Sequence, residues 1–100
     1  MHFHYRAIIK LGNGSSSGAI VGPSGTIFVP TMNHYGEVKA IAPNGTLLWR
    51  YQVFNRLHNT TSRVQATPAL SSDGSTLYIA DAFYYVIALN AHTGQQVKRV

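Results

Sequence analysis

Gly18-Ala19-Ile20-Val21-Gly22-Pro23-Ser24-Gly25-Thr26-Ile27-Phe28-Val29 and Pro68-Ala69-Leu70-Ser71-Ser72-Asp73-Gly74-Ser75-Thr76-Leu77-Tyr78-Ile79 are two versions of one pattern. Ala19 answers Ala69, Thr26 answers Thr76 and Phe28 answers Tyr78, each 50 positions apart. Each version runs from a short apolar stretch, through a turn built on Gly with Pro, Ser or Asp, into a second apolar stretch. Internal self-similarity at such a spacing is the mark of a repeat architecture.

The similarity extends towards the C-terminus. Val38-Lys39-Ala40-Ile41 matches Val86-Ile87-Ala88-Leu89 at a spacing of 48, and Gly45 matches Gly94 at 49. Drifts of one or two positions are expected in turns, where insertions are tolerated. Each copy then parses into four strands. The first copy predicts strands over 17–21, 26–30, 37–42 and 47–53; the second predicts them over 65–70, 76–81, 84–90 and 95–100. Gly22-Pro23-Ser24-Gly25, Pro43-Asn44-Gly45, Ser72-Asp73-Gly74 and His92-Thr93-Gly94 separate them. Asn-Gly and Asp-Gly supply the positive φ that tight hairpins require. The strands are rich in Val, Ile, Leu, Thr, Phe and Tyr, which suit a pleated, half-buried surface. No ten-residue run carries apolar residues at helical spacing.

Composition agrees with this division. The 100 residues make at most one small domain. Charged residues are 11% of the chain and hydrophobic residues 45%. So few charges exclude a coiled coil or helical bundle, and the apolar content excludes disorder. Residues 54–64 are polar and without period, and read as a long loop between the copies. Residues 1–16 read as the last strand of a preceding copy, His4–Leu11, with a linker, as expected of a piece of a longer array or of a unit that oligomerises.

A period near 50 with four antiparallel strands is the pattern of a β-propeller blade. The expected fold is therefore all-β: two four-stranded antiparallel blades, at 17–53 and 65–100, joined by 54–64. One such blade buries its faces only against the next.

The repeat residues also resemble a known family. Thr26-Ile27-Phe28-Val29 and Thr76-Leu77-Tyr78-Ile79 look like its second strand, and Val38-Lys39-Ala40-Ile41 and Val86-Ile87-Ala88-Leu89 like its third. Gly45-Thr46-Leu47-Leu48-Trp49 and Thr93-Gly94-Gln95-Gln96-Val97 look like its closing motif. Residues 17–100 thereby resemble the pyrroloquinoline-quinone-like repeat of quinoprotein alcohol dehydrogenases and of non-catalytic assembly propellers. The resemblance implies a Trp packed between neighbouring blades, a place Trp49 takes and Lys98 leaves empty. The motif's Asp is replaced by Ala42 and Asn90. A periplasmic or extracellular setting is implied as well. In the enzymes of the family, pyrroloquinoline quinone sits with a calcium ion held by Glu, Asn and Asp, and an Asp serves as base. That constellation is not found here, so the favoured function is a non-catalytic module that binds or scaffolds a protein partner, further blades or other copies of itself. A fragment of a quinone-dependent dehydrogenase is the alternative.

The candidate site residues are few. The chain has no cysteine, which removes disulfides, thiolate metal sites and thiol nucleophiles. His2 and His4 could face the same side of a strand, but two imidazoles fall short of a closed metal site. His34, His58 and His92 lie in loops or turns without a partner at a recognisable spacing. Glu37 and Asp81 are on different copies, and nothing in their spacing makes a carboxylate pair. No catalytic, cofactor-binding or metal-binding residue is assigned. Tyr35, Phe83, Tyr84 and Tyr85 follow the second strands of their copies; such clusters either stack on a flat ligand or pack between sheets. Asn13, Asn44 and Asn59 begin glycosylation sequons, with Asn59 the best placed. The net charge is +5, but Arg6, Lys10, Lys39, Arg50, Arg56, Arg63, Lys98 and Arg99 are scattered, which argues against a nucleic-acid site. The N-terminus lacks the apolar core of a signal peptide, and no run is long enough to cross a membrane.

Overall fold

In a computed structural model, residues 18–31, 36–55 and 57–99 are described. They form two four-stranded antiparallel meanders and a small hairpin. The first sheet is β1 (Ile20–Val21), β2 (Ile27–Pro30), β3 (Glu37–Ile41) and β4 (Leu47–Gln52), in that order. The hairpin is β5 (Phe54–Asn55) with β6 (Thr60–Thr61). The second sheet comprises β7 (Ala69–Leu70), β8 (Thr76–Ala80), β9 (Val86–Asn90) and β10 (Gln96–Arg99), again in chain order. The all-β class and the four strands per copy agree with the sequence. There is no helix among the described residues, and so none long and apolar enough to cross a membrane. Within 54–64 the structure departs from a plain loop, because β5 and β6 pair there. Residues 1–16, with their proposed preceding strand, lie outside the described residues.

The pairing registers make the repeat exact in geometry and correct it in one place. Val21 pairs with Ile27 as Leu70 pairs with Leu77, and Ile20 pairs with Phe28 as Ala69 pairs with Tyr78. Ala69 is therefore the counterpart of Ile20, not of Ala19. The drift in spacing has its source in three turns. The first turn closes from the Gly22 N–H onto Thr26, but from the Ser71 N–H onto Thr76, one residue further on. The second closes from Thr31 onto Glu37 and from Asp81 onto Tyr85, two residues shorter in the second copy. The third closes from Ala42 onto Thr46 and from Asn90 onto Gln95, one residue longer again. Strands keep their length because a one-residue slip would turn every side chain to the other face. Tyr84 lies in one of these turns with φ +67°, so β9 begins at Val86 rather than at 84.

Even the irregularity repeats. The register slips between Ala40 and Ile41 opposite β4, leaving Leu48 as the extra residue, and between Gln96 and Lys98 on β10, leaving Val97. Both bulge residues are exposed. A bulge kinks its strand and raises the local twist, and its recurrence marks it as a property of the unit.

The core lies between the sheets. Phe28, Val38, Ala40 and Trp49 alternate onto one face of the first sheet, and Leu77, Ile79, Ile87 and Leu89 onto one face of the second; all belong to one buried cluster. Trp49 locks the two together. Its indole N–H donates to the Ala91 carbonyl at 3.0 Å, and its ring lies over Gly94, where an added Cβ would come within 2.5 Å of it. Gly94, at φ +77°, is thus required both by its turn and by its neighbour. Phe28 packs at 5.9 Å from the Trp49 ring.

Candidate functional site

The hairpin that interrupts 54–64 folds onto the turn between β8 and β9. Asn55 begins the connection and is fully buried. Its Oδ1 accepts the His58 N–H at 3.0 Å, which closes the turn, and its amide donates to Asp81 Oδ2 at 2.9 Å. The other Asp81 oxygen accepts the N–H groups of Phe83 and Tyr85, both at 2.9 Å. Ser62 completes the joint: its hydroxyl accepts the Ala82 N–H at 3.0 Å and its own N–H donates to Val53. A backbone bridge between Val64 and Asp81 and a bond from the Gln65 N–H to Ala80 continue it. Buried polar groups need partners, and here each serves another segment of the chain.

On this base two rings are set. His58 stacks on Phe83 with centroids 3.9 Å apart and planes 7° from parallel. Beside the stack is an open groove of about 360 Å³, lined by Thr60, Thr61, Ser62, Arg63, Gln65, Ala82 and Phe83. Tyr84, held at positive φ, is almost fully exposed at the same corner. The volume is at the small end of ligand sites, which run from about 300 to 1,000 Å³.

The structure brings some of the sequence candidates together and separates others. Asp81, His58, Phe83 and Tyr84 meet at this corner. Glu37 is elsewhere, paired with Lys39 at 3.6 Å on the first sheet. His92 is exposed in the last turn, where its N–H donates to Asn90 Oδ1. Asn44 accepts the Thr46 N–H within its own hairpin, and Asn59 sits exposed at a turn with φ +51°. His2, His4, Asn13, His34 and Tyr35 lie outside the described residues. Among those described, no three His, Asp or Glu side chains gather as a metal site would need. Nor do the best oxygen donors fit a calcium ion. Asp81 and Asn55 face N–H groups, an arrangement that favours an anion's oxygens and opposes a cation.

Asn55 and Ser62 are the residues that sequence reading misses. Asn and Ser often take up nearby N–H groups at turns, so Asn55 ahead of His58 carried a faint turn signal. Its long-range partner Asp81 had none. No family model matches this chain, and a comparison with curated proteins likewise gives no match.

Proposed function

We propose that the chain is a pair of propeller-type blades that works as a non-catalytic module, binding a partner at the corner formed by His58, Phe83 and Tyr84. The observation that carries this reading is the division of labour at that corner. Its reactive groups, Asp81 and Asn55, are consumed in tying the hairpin to the β8–β9 turn. Its exposed groups are aromatic faces and neutral hydrogen-bonding side chains, with Arg63 as the one cation lining the groove. Rigid aromatic rings set on a fixed turn lose little freedom on binding, and recognition surfaces are enriched in them. General acid–base work would need an imidazole within reach of a proton-accepting partner. His58 instead lays its ring flat on Phe83.

The test has two arms. Dye-linked dehydrogenase assays with pyrroloquinoline quinone and calcium are expected to give no turnover above the protein-free control; turnover would favour the quinone-dependent dehydrogenase reading instead. Amide shift mapping against a panel of short peptides and saccharides is expected to perturb 60–65 and 82–84, and Phe83→Ala to abolish that response. A response confined to other residues, or unchanged in Phe83→Ala, overturns the assignment.

A further inference from the structure

The repeat registers give each sheet two faces with definite counterparts. On the first sheet, Ile20, Phe28, Val38 and Ala40 share the inner face, which packs on the second sheet. Their counterparts on the second sheet are Ala69, Tyr78, Val86 and Ala88. That equivalent face is turned away from the first sheet. Conversely, the second sheet packs inward with Leu70, Leu77, Ile79 and Leu89, and the first sheet's counterparts, Val21, Ile27, Val29 and Ile41, face outward.

Exposure follows the difference. Phe28 is 3% exposed and Tyr78 39%; Val38 is 0% and Val86 36%. On the opposite surface, Leu70 packs against the core while Val21 is 66% exposed, with Leu47 beside it at 51%. Each of the two surfaces that cover one another inside the chain therefore occurs a second time with exposed apolar side chains.

We infer that these two surfaces bind each other between copies: the Tyr78–Val86 face of one chain docks on the Val21–Ile27–Leu47 face of a second copy. The occupant is read from the chain's own interface, which already joins the same pair of faces in the same order. Such a contact is heterologous, so it propagates head to tail and ends only in a closed ring. Two departures make it weaker than the internal joint. Tyr78 brings a hydroxyl where Phe28 has none, and Lys39 stands at the register of Ile87. The inference concerns surfaces apart from the aromatic corner, so either can fail alone.

The experiment uses the full chain and two variants at exposed positions, Tyr78→Arg and Val21→Glu, with circular dichroism to confirm that each folds. Light scattering after size exclusion is expected to give the unaltered chain a mass several times that of one copy, and each variant alone the mass of one. Each variant keeps one intact face, so an equimolar mixture is expected to form a one-to-one dimer that grows no further. A monomeric unaltered chain, or a mixture that stays monomeric, overturns the inference. So does a single variant that still self-associates, which would mean that like faces pair. Phe83→Ala is expected to leave the mass unchanged.

Discussion

The two sheets are the same object built twice, and their differences separate what the unit requires from what each copy was given to do. Both keep the four-strand meander, the turn hydrogen bonds and the bulge opposite the third strand. They part company at two positions. The first sheet has Trp49 opposite Ala40, where the second has Lys98 opposite Ala88. The first closes its second turn with Thr31, whose hydroxyl serves only Glu37, while the second closes it with Asp81. What is common is backbone geometry; what differs is the side chain that reaches outside its own sheet. Trp49 reaches the other sheet, and Asp81 reaches the hairpin.

The largest effect should come from breaking the first of these reaches. Trp49→Ala removes a buried aromatic and its hydrogen bond to Ala91, and large aromatic truncations in cores cost about 3–5 kcal/mol. Tyr78→Ala, at the counterpart of the Phe28 ring that packs on Trp49, should cost less than about 1 kcal/mol, because its side chain is already open to solvent. Chemical denaturation of the two variants measures the contrast. Equal losses would mean that the sheets do not depend on the Trp49 joint.

Next is the second reach. Asp81→Ala strands the Asn55 amide and two backbone N–H groups, and each buried donor left unpaired costs about 1–3 kcal/mol. Thr31→Ala, at the matching position, loses a single hydroxyl and should cost about 1 kcal/mol. The two also differ in where the damage falls. Asp81→Ala should raise amide exchange in 54–62 as well as in its own turn, and Thr31→Ala only locally. A loss of protection at 54–62 in both variants would break the distinction.

How much of this was legible follows the same line. Strand positions, turns and the repeat spacing could be read because they rest on local rules: Gly at positive φ, Asx residues at turns, and alternating apolar side chains. Gly94 could be read as a turn glycine, but not as the floor beneath Trp49, since that depends on how two sheets meet. Trp49 between sheets came from the family resemblance rather than from spacing. Ala19 was matched to Ala69 because identical letters attract an alignment, whereas backbone pairing equates Ile20 with it; a residue inserted at Ser75 had moved the frame. The corner was half visible. Phe83 and Tyr84 stood out as a cluster of aromatics, but Asn55 and its bond to Asp81 join segments 26 residues apart, and no local pattern announces such a contact.

The smallest effect separates the two first turns. In the second copy Asp73 accepts from the Ser71 hydroxyl at 2.7 Å and from the Ser75 N–H and hydroxyl, and these bonds, that of Ser71 foremost, lower its carboxyl to about 2 from 3.8. In the first copy the same place is held by Ser24, which contacts Thr26 at 3.3 Å and cannot titrate there. A carboxyl lowered on folding stabilises the fold fully above its unfolded value, and that contribution fades as pH falls from about 4 through 2. Asp73 is exposed, so solvent screens much of it and the effect on overall stability should be slight. It is better seen at the residue. The carboxyl resonance of Asp73 should titrate near 2 in the unaltered chain and move up towards 3.8 in Ser71→Ala, while the first turn's amides stay constant through the same range. A midpoint near 3.8 in both proteins would show that the turn of the second copy is held by its backbone alone, as the first is, and that its aspartate adds nothing.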